Sequence, residues 1–513
     1  MSVSIPHTAY QAMLPLWEAY RTASIGEAAV KGARDFTRAS RGLYAPGTRY
    51  LPRPAGMKRE DQYAAYRDRP SWIGATERAV QGITGSIFRH EPQLEVPAAL
   101  EPQIADITQT GVDLRALAEG VVSEDLLMGR YGILVDYPQA GVAPDDGVFL
   151  APVDQRPYWI PYQAEEIINW RTVRHQGKTI LSLVVLKECV PVVQGAWGSD
   201  DFFLTQDRIQ YRVLRLDESG RYEVSVWIED PGQVGRAQRR ATLAQVWIPT
   251  RQGIALDFIP FKFVGSFTTE PSIQKSLLDG LIHRNFLCWR HSADKEHGLH
   301  LTAMPQMYVA ADMDTPPELY VGASQALFLP KGSTAGIVEF HGHGLQPHEN
   351  AIKEDLEIMA MMGARLLEPP PRTAETATAV QWRMAGQDSP VQRLVGTCSQ
   401  ALTWALQVHA WWGGFTENVD DPAIGVVLNK DLVSTIMEPQ MLQALMQALL
   451  NGTISYETFF FNLQRGEIAR PLVDVEEERA LIEDAMAQRP LVTVAPGPST
   501  PPPGRNGAAR AVA

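Results

Sequence analysis

The chain has 513 residues, 45% hydrophobic and 20% charged, an ordinary globular composition with room for about three domains. Its formal net charge of -13 argues against a broad basic face for nucleic acid or acidic membrane, and no run approaches the roughly 18 apolar residues of a membrane span. Three cysteines, Cys189, Cys288 and Cys398, form no CxxC and no disulfide framework, which points to a reducing compartment; the opening MSVSIPHTAYQAML lacks the basic start and apolar core of a signal peptide.

The first 130 residues read mainly as helices. In RPSWIGATERAVQGITGSIFRHEP, Val80, Ile83, Thr84 and Ile87 share one helical face. Gly74, Gly82 and Gly85 cost helix propensity there, so close approach of a neighbour is expected. VDLRALAEGVVSEDLLMGR is a further amphipathic helix ending near Gly129. From Tyr131 to about Val264 the period changes to short runs rich in Val, Ile and Tyr, with Asp217–Gly220 placed as a hairpin loop. Helix returns at PSIQKSLLDGLIHRNFLCWRHSADKEHGLH, with Pro271 suited to its first turn. Short strands and turns follow to about Leu345. In PHENAIKEDLEIMAMMGARLLE, Ile352, Leu356, Met359, Gly363 and Leu366 form a narrow apolar stripe for packing on another helix. Pro369, Pro370 and Pro371 then stop the helix. Thr373 is a plausible cap for a new one, which Pro390 kinks or restarts with Ser389 as cap. Trp404, Trp411 and Trp412 at helical spacing read as core rather than as a base-stacking platform. A last helical block runs to about residue 490, and the Pro-, Gly- and Ala-rich tail beyond it cannot bury enough surface to fold.

A search for chemistry finds no phosphate loop, nucleophile elbow or HExxH. The string LPKGSTAG has the wrong order for phosphate binding and reads as a polar turn. Seven of the eleven histidines fall at His283, His291, His297, His300, His341, His343 and His348, with Cys288 nearby, but without a standard zinc spacing. Asp312 and Asp314 read as a solvated turn. The one basic cluster, Arg236, Arg239 and Arg240, reads as a solvated loop.

The order of parts resembles the tailed-bacteriophage portal proteins, the head–tail connectors. The strings that carry the resemblance are SWIGATERAVQGITGSIFR, GRYGILVDYP, HSADKEHGLHLTAMP, MAMMGARLLE, ETATAVQWRMAGQDSP and NGTISYETFFFNLQRGEI, spread over about residues 60–490. The resemblance implies an α+β, predominantly helical subunit of wing, stem, clip and crown, forming a ring with a central channel, usually dodecameric. In that plan, residues 1–130 are a helical wing region and 131–265 a β-rich wing region. Residues 266–300 are a descending stem helix, 301–345 the clip and 346–367 an ascending stem helix. Residues 368–415 are a tunnel loop and long kinked channel helix, 416–490 a helical crown, and 491–513 a disordered tail. Glu368, Pro369, Pro370, Pro371 and Arg372 would form the tunnel loop, and Arg365 and Arg372 are the candidate DNA-guiding residues. The implied partners are further copies of the chain, double-stranded DNA in the channel, the terminase large subunit, the major capsid protein, and head-completion, adaptor and tail proteins, with no membrane. The implied location is the capsid portal vertex of the virion, after synthesis in the host cytoplasm. No cofactor or catalytic residue is expected. The rival reading is a metal-dependent, nuclease-like enzyme built on the histidine-rich stretch 283–348.

Overall fold

The computed structural model describes residues 3–32, 49–138, 156–175, 177–193, 195, 203–229, 240–302, 306–310, 331–338, 344–367, 389–430, 432, 439–465, 468–469 and 473–487. The chain divides into two compact units, Met1–Val433 and Ser434–Ala513.

The first unit opens with α1 (Thr8–Ile25), capped by His7, whose Nδ1 accepts from the Ala9 amide at 3.1 Å. Next come α2 (Glu27–Val30), α3 (Glu60–Asp68), α4 (Ala75–Ile87), β1 (Gln93–Glu95), α5 (Glu101–Ile104) and α6 (Leu114–Met128). Asp113 caps α6 by accepting from the Ala116 amide at 2.7 Å. Gly129 closes it in the left-handed region, and a Cβ there would meet the carbonyl oxygens of Gln274 and Lys275 at 2.7 Å. Both constraints select glycine.

The strands are β2 (Tyr131–Asp136), β3 (Tyr158–Gln163), β4 (Ile167–His175), β5 (Lys178–Val193), β6 (Thr205–Leu216), β7 (Tyr222–Glu229), β8 (Ala241–Trp247), the two-residue β9 (Thr250–Arg251) and β10 (Ile254–Ala255), and β11 (Phe261–Val264). β2 lies between β11 and β3 in an antiparallel sheet and is buried throughout, which is why YGILVD shows no alternation. β4 to β8 form an antiparallel meander in chain order. The expected loop at Asp217–Gly220 joins β6 to β7: Asp217 Oδ1 accepts from the Ser219 and Arg221 amides, both at 2.8 Å, and Gly220 has φ +80°.

The unit continues with α7 (Asp279–Thr302), β12 (Gln306–Ala310), β13 (Thr334–Val338), α8 (Leu345–Leu367), α9 (Pro390–Gly413) and β14 (Gly425–Val427), which pairs antiparallel with the distant β1. A new helix does start at Ser389. Its hydroxyl accepts from the Gln392 amide, and the Gln392 side chain accepts from the Ser389 amide, with Pro390 in the first turn. Trp411 and Trp412 are core, and Trp404 packs partly buried against it. One continuous cluster joins Trp17, Ile133, Leu134, Phe261, Leu402, Leu406 and Trp412.

Three expectations are corrected. Among the described residues nothing lies within 4 Å of a Cβ placed on Gly82 or Gly85, so no close approach within the described chain explains them. The helix expected from Pro271 begins at Asp279, because the preceding segment is committed to other contacts. The Pro271 carbonyl accepts from Arg130 Nη1 at 2.8 Å, and Ser276 Oγ donates to the Leu126 carbonyl at 2.9 Å. The apolar stripe of α8 is rotated: the face turned inward is Ile352, Asp355, Met359 and Met362, and Leu356 is exposed.

The second unit holds α10 (Pro439–Leu450), α11 (Tyr456–Arg465) and α12 (Val475–Ala487). Within it, Tyr456 stacks on Phe460 and the Arg479 guanidinium lies 4.8 Å from the Tyr456 ring centre. The proline-rich tail lies outside the described residues.

Buried charge in the first unit is organised in groups. Arg21 bridges Glu124 at 2.6 Å and Glu165 at 2.9 Å. Arg212 bridges Asp136 at 2.8 Å and Glu188 at 2.9 Å. Burial works against the Glu188 carboxylate, but Arg212 and the donors Tyr162 and Gln210 outweigh it and hold its pKa low. Asp125 on α6 is different. Burial pushes its carboxyl up from 3.8 to about 8, and the Cys398 thiol, 3.9 Å away, is its sole side-chain donor among the described residues. His409 on α9 is pushed down from 6.5 to about 3, by burial and then by Arg156.

These two groups set opposite slopes. A raised Asp125 makes the fold less stable as pH rises from about 4 to 8, and a lowered His409 makes it less stable as pH falls below 6.5. Between pH 4 and 6.5 the two slopes oppose each other, so Asp125 acts alone above 6.5. The expected outcome is a loss of about 2 kcal/mol from these groups between pH 6.5 and 8. Asp125→Asn should abolish that decline, as read by urea unfolding at the two pH values.

Candidate functional site

The feature that stands apart from the compact core is an antiparallel helical arm, α7 and α8, with the β12–β13 pair between them in the chain. Its length follows from its glycines. At one end a Cβ on Gly280 would sit 3.7 Å from Met362, and at the other a Cβ on Gly298 would meet Leu345 at 2.7 Å. The 18 residues between these two contacts rise by about 27 Å at helical pitch. Gly298 therefore lets the helices close where a larger residue would hold them apart.

The interface between the helices is part apolar and part ionic. Leu281, Cys288 and Met359 form its buried core, with Ile352 and Met362 packed against them. Asp355 is 2% exposed and faces α7. It takes an ion pair from Arg284 at 3.3 Å and a contact from His291 Nδ1 at 2.8 Å. Lys295 and Glu349 pair one turn further along, at 3.5 Å. The opposite side of α7 is tied to the N-terminal helices. Tyr20 donates to Asp279 at 2.7 Å, Tyr66 to Asp294 at 2.6 Å, Asn285 to Thr76 at 3.1 Å, and Arg290 to the Tyr50 carbonyl at 2.7 Å. α7 is thus shared between core and arm. Beyond it, β12 and β13 pair over five residues, and Gly336 leaves space for the Tyr308 ring, which would meet a Cβ at 2.8 Å.

The described histidines of the His-rich stretch have separate surroundings. His283 contacts Asp279, His291 contacts Asp355, and His297 packs edge-on to Tyr66 at 5.4 Å. Burial is the main cause that lowers the His297 pKa, followed by Arg69. His300 is exposed and His348 half-buried, while His341 and His343 lie outside the described residues. Among the described residues no three His, Cys, Asp or Glu side chains are grouped to hold a metal ion. Cys288 is a core residue whose thiol is pushed up to about 11, by burial and then by Asp355. Lys331 and Gly332 form a turn ahead of β13. Glu368, Pro369, Pro370, Pro371 and Arg372 lie outside the described residues, as do Arg236, Arg239, Asp312 and Asp314. Arg365 falls in the last turn of α8, with its side chain outside the described set.

A second concave feature was not anticipated. A cleft of about 1380 Å³ is lined by the end of the β4–β5 ribbon, residues 257–263 and 269–273, and Trp404. Trp170 in its wall stacks on His7 at 4.2 Å. Behind it, the buried Arg130 guanidinium lies 4.0 Å from the Trp170 ring centre and 4.3 Å from that of Phe263. Burial pushes Arg130 down to about 9, which still leaves it charged at neutral pH. Lys262 sits 5.3 Å from the Trp404 ring centre, its pKa lowered by burial. Aromatic faces offset part of the lost hydration of both cations.

Comparison with known proteins gives one family and several structures. Residues 277–413, from the foot of α7 through α9, match a domain of unknown function (DUF4055). No curated protein matches the chain. Among solved structures, a chain from the virion of a native gene transfer agent particle is similar at 13% identity and TM-score 0.34, covering 84% of this chain and 96% of that one. A chain from the neck of the native particle, computed with C12 symmetry, is similar at 12% identity and TM-score 0.35, covering 80% and 95%. A chain from the neck of the empty particle, computed with C6 symmetry, is similar at 13% identity and TM-score 0.36, also covering 80% and 95%.

Asp355→Ala leaves Arg284 and His291 facing an apolar gap. The expected loss is roughly 3 kcal/mol or more, the scale for removing one partner of a buried pair. Hydrogen exchange across α8 should speed up well before exchange in α6.

Proposed function

We propose that the chain is a portal-type subunit. Copies form a ring at one capsid vertex, and the ring is a conduit for double-stranded DNA and a docking platform for the packaging motor and tail proteins. The observation that carries this reading is the arm in its place along the chain. α7 leaves the core, the β12–β13 pair follows, α8 returns antiparallel, and the chain passes through the proline-rich stretch 368–388 into α9, a core helix. That order is the stem, clip, stem and channel-helix order implied by the sequence resemblance. In this assignment residues 1–265 are wing, 301–345 clip and 416–490 crown.

The charge balance supports the same reading. DNA must pass without sticking, and a chain of net charge -13 presents carboxylates that repel phosphate. A few cations at the constriction then suffice to guide the duplex, and Arg365 and Arg372 are assigned that role. Proline fixes φ, so three in a row would stiffen a tunnel loop built on this stretch.

A variant lacking Glu368–Arg372 should still form rings but retain at least tenfold less packaged DNA. Nuclease-protected DNA per particle is the readout. Normal packaging and infectivity in that variant would remove the tunnel-loop assignment.

A further inference from the structure

We propose that the end of the β4–β5 ribbon is a contact surface for a second copy of this chain, and that it docks on the outer face of the neighbour's α8. This deepens the ring reading and rests on it.

The ribbon is an electrostatic exception. From Ile167 to Lys187 the sequence has no Asp or Glu, in a chain that has 59 of them. Arg171, Arg174, His175 and Lys178 are all exposed on it, and their side chains make no ion pair among the described residues. His175 stands directly opposite Lys178 in the strand register. Between these cations Val173 is 44% exposed, opposite Ile180. Asp257, Glu270 and Asp420 line the same cleft, but none forms an ion pair with the ribbon. Among the described residues this cationic, partly apolar edge therefore meets no complement.

The complement exists elsewhere on the same unit. The inner face of α8 is filled by its packing on α7. Its outer face carries Glu354, Glu357 and Met361 at i, i+3 and i+7, one helical stripe, with Leu356 beside it. Met361 is 44% exposed, and neither glutamate makes an ion pair among the described residues. Among the described side chains Lys353, also exposed, is the cation beside them. Each surface sets an exposed apolar side chain among charges of mainly one sign, and the signs are opposite. Complementary patches at two different places on one molecule make a head-to-tail contact, the kind that closes into a ring when the rotation permits. A chain of net charge -13 repels its own copies at long range, so a local acid-free edge gives that repulsion an orientation in which it reverses. Duplex DNA would satisfy the cations but would give Val173 no apolar surface to meet.

The test is a charge swap on the full chain, read by sedimentation across a salt series, with circular dichroism to verify folding. Arg174→Glu with Lys178→Glu should weaken self-association at least tenfold. Adding Glu354→Lys and Glu357→Lys to the same chain should restore it to within about threefold of the unaltered protein. Unchanged assembly in the first variant would overturn the contact and leave the ring reading standing. Failure of the second pair to restore assembly would also overturn it. So would salt-sensitive binding of a duplex oligonucleotide that the first variant loses while assembly is unaffected. An unaltered chain that stays monomeric at every concentration and salt would remove the contact and the ring reading together.

Discussion

The arm depends on a charge withdrawn from water between two helices. Asp355 would be costly there alone, and its cost is offset because α7 presents Arg284 and His291 to it within ion-pair reach. Apolar contact through Leu281, Cys288 and Met359 holds the helices together, but apolar contact slides easily along a helix. The carboxylate fixes where along α7 the α8 helix sits, and Gly298 against Leu345 fixes how closely. An arm with set register and spacing can transmit position from the core to the β12–β13 end.

The core is arranged to hold the root of that arm. Trp17, buried in α1, donates to the Met128 carbonyl at the end of α6, and three residues on, Tyr20 of α1 reaches Asp279 at the start of α7. Gly129 lets the Gln274–Lys275 backbone pass against the end of α6, so the segment before α7 is laid down before the helix begins. Arg21 ties α6 to the turn after β3 through Glu124 and Glu165. These contacts join residues more than a hundred positions apart. A change in the arm therefore strains the helical layer and the sheet together.

Much of the local structure was legible in the sequence for simple reasons. Ser389 followed by Pro390 and Gln392 is a capping box with proline in the first turn, and the helix starts there. Asp217 and Gly220, three residues apart, carry turn chemistry, and the hairpin follows. What the sequence concealed was tertiary. The α8 stripe was drawn through Leu356 because apolar residues were assumed to face inward, whereas the buried position is the acid Asp355. An acid three residues after Ile352 and four before Met359 was the available signal, and it has meaning only once Arg284 and His291 are known to face it. Pro271 looked like a helix start, yet the carbonyls and hydroxyls around it were already engaged by Arg130 and Leu126. On α7, His283, His291 and His297 meet Asp279, Asp355 and Tyr66 respectively, so closeness in sequence did not bring these three rings together. The cleft beside Trp170 and Trp404 gave no local pattern, because its walls come from six separate stretches of chain.

We propose that this chain stands in a ring around a channel. Native mass spectrometry of the purified protein, with negative-stain images of the same sample, tests it most directly. The account predicts a closed ring of about a dozen copies with a central hole. A stable monomer carrying one bound metal ion per chain, lost when His297 or His300 is replaced, would contradict it.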